Sequence, residues 1–301
     1  MPSGPAFSLD FCLEGFRLIR QRPKLIAFWG IVTLFGNGVG IGLAVALAGP
    51  ALQNLILALT GDAPTPEVLA GLMQSAMPGI AIALIMSAVA GSVVTAAICR
   101  VVAGGTDDRL GFLQFGTTEL RLIFVNLIML ALTVAIIVAC FILASVPAAI
   151  FMAVPGAMQA FAALAFMLSV GIGFWLHVRL SLNLAQSFDS GRIDMFGSFA
   201  LTRGYFRKLA SGYLIAFALG VFVQLMASQV MAAILTFVFG TPGKPDLANL
   251  TAFLTPVNVL DLVLSYGIIS PMVSAILYGA PVAAYARLTD KTDRLEAERV
   301  F

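Results

Sequence analysis

Apolar side chains run almost uninterrupted through six stretches of the chain, residues 25–47, 79–102, 122–146, 158–177, 212–238 and 259–285. Each comes near or exceeds the roughly 20 residues that cross a hydrocarbon layer ~30 Å thick. Lipid offers the backbone no hydrogen-bond partner, so such stretches satisfy their own N–H and C=O groups as helices. The pattern predicts an all-α, polytopic membrane protein with six transmembrane helices in a single membrane domain. The fifth and sixth stretches are long enough to tilt or to project beyond the hydrocarbon. Pro147 and Pro155 bracket a short turn between the third and fourth. The first 24 residues carry Asp10, Glu14, Arg17, Arg20, Arg22 and Lys24, too much charge for the apolar centre of a cleavable signal. The first stretch is therefore expected to stay in the membrane.

The polar positions between these stretches are patterned as well. Over residues 7–22, Asp10, Glu14, Arg17 and Gln21 recur at spacings of 4, 3 and 4, while Phe7, Phe11, Leu13, Phe16, Leu18 and Ile19 fill much of the remaining circumference. That periodicity predicts an amphipathic helix at the membrane surface. Residues 193–208 repeat it, with Phe196, Phe199 and Phe206 as apolar anchors. Phe16-Arg-Leu-Ile-Arg20 and Phe199-Ala-Leu-Thr-Arg203 share F-x-L-x-R, and each precedes a Lys-Leu pair, Lys24-Leu25 and Lys208-Leu209. Two outer segments also correspond: 64–78 and 245–256 are both short, amphipathic and bounded by prolines, and Thr65-Pro66 reads as a helix cap followed by proline at the first position. The expectation is a three-fold hairpin repeat with units of about 1–105, 106–185 and 186–290, the middle one keeping 112–121 as its interfacial segment but having almost no outer loop, and a charged tail over 287–301.

Composition narrows the class. Of 301 residues, 60% are hydrophobic and 11% charged, against about 25% charged in soluble domains. Too few charges remain to cover a water-facing surface, which excludes an ordinary soluble domain, a disordered chain and a nucleic-acid binder. The net charge of +2 conceals an asymmetry. Sixteen of 17 Lys and Arg fall on the side shared by both termini and only Lys244 on the other. Eleven acidic residues accompany the sixteen, giving +5; Asp62, Glu67, Asp246 and Asp261 accompany Lys244, giving −3. The positive-inside rule then places both termini in the cytoplasm.

Candidate chemistry is sparse. The three cysteines, Cys12, Cys99 and Cys140, and the single His177 form no metal-ligand spacing, and no nucleophile–base motif occurs, so neither a cofactor nor an enzymatic activity is expected. His177 ends the fourth stretch beside Trp175, as an interfacial anchor or a proton relay. Asp261 is the one carboxylate that enters an apolar stretch, and intramembrane acids point to function. Asn37 sits in Gly36-Asn-Gly-Val-Gly-Ile-Gly42, where Gly36/Gly40 and Gly38/Gly42 have the G-x-x-x-G spacing of close helix packing. Asn126 and Gln224 read as interhelical hydrogen-bond partners, and Arg100 and Arg179 as snorkelling side chains. Asp107-Asp108 reads as a solvated turn.

Two functions fit. One is a non-enzymatic envelope protein that binds anionic lipid, or a membrane-protein partner or a second copy, through Arg17, Arg20, Arg22 and Lys24 together with Arg203, Arg207 and Lys208. Basic groups at a membrane surface gain ~1 kcal/mol each from anionic lipid. The alternative is a small-solute or lipid transporter with Asp261, Asn37 and Gln224 near its path.

The run from Val178 to Leu209, with Ala200-Leu-Thr-Arg-Gly204 at its centre, resembles the glycerophosphoryl diester phosphodiesterase membrane-domain superfamily. The segments Phe16-Arg-Leu-Ile-Arg-Gln-Arg-Pro-Lys24 and Phe115-Gly-Thr-Thr-Glu-Leu-Arg121 are similar to a bacterial branch of its inner-membrane proteins. The resemblance implies a multi-pass fold and a bacterial inner-membrane address. In some members this domain precedes a phosphodiesterase barrel; with the sequence stopping at Phe301 no barrel is expected, and no catalytic residue is carried over.

Overall fold

The computed structural model describes residues 8–61, 65–103, 109–151, 154, 156–240 and 245–289. Among these every regular element is helical, and six helices are long and apolar enough to cross a membrane. A 3₁₀ turn at Leu9–Leu13 leads into α1 (Glu14–Gln21). Then come α2 (Lys24–Thr60), α3 (Pro66–Val102), α4 (Thr117–Ile150) and α5 (Ala157–Leu180). Two short helices, α6 (Asn183–Ser190) and α7 (Gly197–Leu201), form an elbow before α8 (Phe206–Phe239). The chain ends in α9 (Leu250–Phe253), α10 (Pro256–Leu264) and α11 (Ser270–Leu288), the last two joined by a π-helical turn at Ser265–Ile269.

The first two long helices outrun the bilayer. At 37 residues each, α2 and α3 are about 55 Å long, well beyond the ~30 Å of hydrocarbon. α2 bends at Ala48 (φ −144°, ψ 23°), two residues before Pro50, because a proline ring clashes with the carbonyl four residues back and donates no hydrogen bond. Thr65 and Pro66 do start a helix, but it does not stop at Pro78. It continues to Val102, so 64–78 is no separate outer segment. Beside Pro78, the Cα of Gly79 lies so near Ala44 O and the Ala48 side chain that an added Cβ would be 3.0 Å from each. That close packing on α2 carries α3 past the missing hydrogen bond.

Small residues set how the helices meet. Gly36 faces Ala90 and Gly40 faces Met86, both on α3, whereas a Cβ on Gly38 would meet nothing within 4 Å. Only the first of the two G-x-x-x-G pairs is therefore a seam. Gly30 abuts the carbonyl of Gly267 in the π-turn. In that turn Ser270 N–H bonds to Ser265 O, so the next donor in π register would belong to residue 271. That residue is proline, which has no N–H, and Tyr266 O accepts from the Thr33 hydroxyl of α2 instead.

The core is concentrated at one end. Ser92 to Cys99 on α3 are all buried, surrounded by Trp29, Leu182, Leu209 and Ala280. α4, α5 and α8 turn wide apolar faces outward, with Phe166, Met167, Phe217, Phe222 and Phe237 among the exposed side chains. Such faces suit a lipid solvent.

The N-terminal segment joins this core. Phe11 is fully buried, edge-on to Tyr213 at 5.8 Å and packed into the space over Gly212. Gly15 lies against the backbone of Ala275 and Ile276, and Gly279 approaches Gly15. Part of the apolar stripe expected to face lipid thus faces protein; Leu9 and Leu13 stay exposed.

Candidate functional site at the basic end of the bundle

All six long helices begin or end where Arg100, Arg179, Arg207, Lys208 and Arg287 lie, and buried polar contacts tie them together there. Glu119, in the first turn of α4, is almost fully buried. One carboxylate oxygen reaches back to accept from Gly116 N (2.9 Å), the contact an acid at the third helical position makes with the cap residue. The other pairs with Arg100 at the end of α3. Arg100 Nη1 donates to Phe112 O (3.0 Å), and its guanidinium lies 5.7 Å from the Phe188 ring. Arg100 therefore turns inward and does not snorkel, because α4 brings a carboxylate back beside it.

The Phe112 carbonyl is positioned by an unusual turn. Leu110, Gly111 and Phe112 all have positive φ (52°, 64° and 63°), a region L-residues rarely adopt. The turn directs Gly111 O to Trp29 Nε1 (2.9 Å) and Phe112 O to Arg100. The α2 start, the α3 end and the α4 start are thereby joined.

The elbow at residues 181–205 joins the others. Ser198 Oγ donates to Arg179 O (2.7 Å) and accepts from Leu182 N (3.3 Å). Ser181 Oγ donates to the Tyr213 oxygen (2.8 Å). Asp194 accepts from Gln186 Nε2 and from Gly197 N, both at 2.8 Å. Tyr285 OH of α11 donates to Asp189 (2.9 Å), and Arg121 of α4 reaches Ser187 O at 3.4 Å. The Arg179 guanidinium lies 5.3 Å from the Phe206 ring, while its Nε is buried without a hydrogen-bond partner among the described residues.

Around this interior, Arg17, Arg20, Arg22, Lys24, Arg203, Arg207 and Lys208 are all exposed. Arg17 stands 3.7 Å from Glu14, and Arg22 lies 5.6 Å from the Phe112 ring. Each of these residues is close in sequence to a buried anchor, namely Leu18, Leu25, Thr202 or Leu209. The charges are thus displayed on a fixed backbone.

No protein-family model matches the chain, and neither does a curated protein or a solved structure.

The remaining sequence candidates are scattered. Asn37 Nδ2 donates to Thr33 O of its own helix (2.9 Å). Gln224 is exposed on α8 and bridges no helices among the described contacts, whereas Asn126 bridges α4 to α3 through Ala88 O and Ser92 Oγ. Asp261 is half-buried in the second turn of α10. No described contact joins Asp261, Asn37 and Gln224. His177 is exposed in the last turn of α5 and lines a cleft between α4 and α5; nearby, Trp175 meets Phe199 edge-on at 6.1 Å. Among the described residues no three His, Cys, Asp or Glu side chains group as metal ligands. Asp107 and Asp108 lie outside the described residues.

Proposed function

We propose that this multi-pass membrane protein is a non-enzymatic component of the bacterial inner membrane, with its basic end in the cytoplasm, where it binds anionic lipid. The observation that carries this reading is the set of seven exposed basic side chains on segments anchored in the core. Holding the charges on a fixed backbone lowers the ordering cost of engaging headgroups. The 16:1 distribution of basic residues supports the orientation. The two F-x-L-x-R segments support the correspondence of the first and third units of a three-fold hairpin repeat, with interfacial elements at 7–22 and 193–208. The resemblance to the phosphodiesterase membrane-domain superfamily supports the same address.

The test replaces Arg17, Arg20, Arg203 and Arg207 with Gln. With ~1 kcal/mol at stake per basic group, phosphatidylglycerol and cardiolipin co-purifying with the protein should fall at least tenfold relative to phosphatidylethanolamine. Unchanged lipid content in a correctly folded variant would overturn the reading. The transport alternative has less beneath it, since Asn37 is engaged within its own helix and Gln224 stands apart from Asp261. It requires that Asp261→Asn abolish uptake of some solute at normal protein abundance.

A further inference from the structure

The cleft between α4 and α5, with Phe217 of α8 as its third wall, has a volume of about 480 Å³ and is partly open to the surroundings. That is the size of a ligand-holding cleft (~300–1,000 Å³). Its hydroxyl groups are turned away from an occupant: Thr133 Oγ1 donates to Met129 O (2.8 Å) and Ser169 Oγ to Ala165 O (2.7 Å), each within its own helix. The remaining wall is hydrocarbon and aromatic, with one exception. His177 lies at the basic end.

The dimensions select the occupant. From Phe166 to His177 the lining follows α5 for about 16 Å at 1.5 Å per residue. This is one leaflet of a ~30 Å hydrocarbon layer. A second copy of the chain fits less well. Close helix approach needs a seam of small residues, and Phe141, Phe166, Phe174 and Phe217 stand at the cleft with Gly173 among them. We propose that the cleft holds one acyl chain of a phospholipid from the leaflet at the basic end, with the headgroup beside His177. The site is separate from the basic surfaces and requires only that the chain cross the membrane.

Two glycines supply a matched test. A Cβ on either Gly171 or Gly173 would meet nothing within 4 Å, but only Gly173 lines the cleft. Gly173→Leu projects into it and obstructs it, while Gly171→Leu adds the same bulk elsewhere on α5. The full chain would be reconstituted in nanodiscs of phosphatidylethanolamine and phosphatidylglycerol containing a trace of phosphatidylglycerol with a diazirine-bearing acyl chain. After irradiation, adducts should concentrate on the cleft residues of α4 and α5. The yield should fall at least fivefold in Gly173→Leu and stay unchanged in Gly171→Leu. Excess unlabelled phosphatidylglycerol should compete at the cleft more strongly than at other lipid-facing peptides, a check that holds whether or not the leucine variant folds. Equal yields in all three proteins with uniform competition would reduce the cleft to ordinary lipid-facing surface and overturn the proposal. A cross-linked dimer through α4 and α5 would overturn it in favour of a second copy. The four-glutamine variant described above should label like wild type, which separates failure of this site from failure of the basic surfaces.

Discussion

At the scale of single residues, the interior of the basic end depends on matched charge. Taking two ions out of water costs several kcal/mol each, so a buried pair adds little net stability, but removing one partner leaves the other uncompensated. With side-chain exposures of 14% for Arg100 and 4% for Glu119, this site belongs to that class. Glu119→Gln should cost about 3–5 kcal/mol, read as an earlier thermal transition of the detergent-solubilised protein. The double replacement Arg100→Met, Glu119→Leu should recover most of it. Equal stability of the single variant and wild type would mean that the pair is solvated. This site is hard to read in sequence, because Arg100 and Glu119 lie 19 residues apart and each has an ordinary local explanation. Arg100 looks like the end of a span and Glu119 like a first-turn acid. Still longer separations hide Ser181 from Tyr213 and Asp189 from Tyr285, which are 32 and 96 residues apart.

At the scale of elements, the number of spans is legible because the bilayer imposes their length, whereas their ends are set by neighbours. Nothing local in 64–78 announces that α3 passes through Pro78, since the packing of Gly79 on α2 is a tertiary fact. Glycines divide in the same way. Gly36/Gly40 and Gly38/Gly42 are equivalent as strings, yet only the first pair packs both its glycines on α3, whereas Gly38 faces open space. Gly30→Ala would drive a Cβ into the Gly267 backbone and should cost about 1–3 kcal/mol. Gly38→Ala, with open space before it, should change stability by no more than about 0.5 kcal/mol. Thermal unfolding of the two variants side by side is the check, and comparable losses would mean that the α2 contact with the π-turn does not constrain the bundle.

At the scale of the whole molecule, orientation can be tested directly because the native thiols are protected. Cys12, Cys99 and Cys140 are all buried, and burial, the largest influence, holds the Cys12 thiol above its ordinary value and so in the unreactive protonated form near neutral pH. Single cysteines at exposed Gln21 and Ser75 should therefore label over a low background. An impermeant maleimide should modify Ser75→Cys in cells whose outer membrane alone is opened, and Gln21→Cys only after lysis. The reverse pattern would invert the topology. The charge count carries this expectation without any structure. What it does not convey is that the basic end is also where the core lies.

The docking of the first helix on the last has a temporal meaning. Phe11 and Gly15 leave the ribosome some 200 to 260 residues ahead of their surroundings at Gly212, Ala275 and Gly279. At ~5–20 residues per second, the N-terminal segment waits on the order of ten seconds or more before its receptor exists. A nascent chain arrested before α11 therefore lacks the surface on which Gly15 packs, and this contact is among the last in the bundle to close.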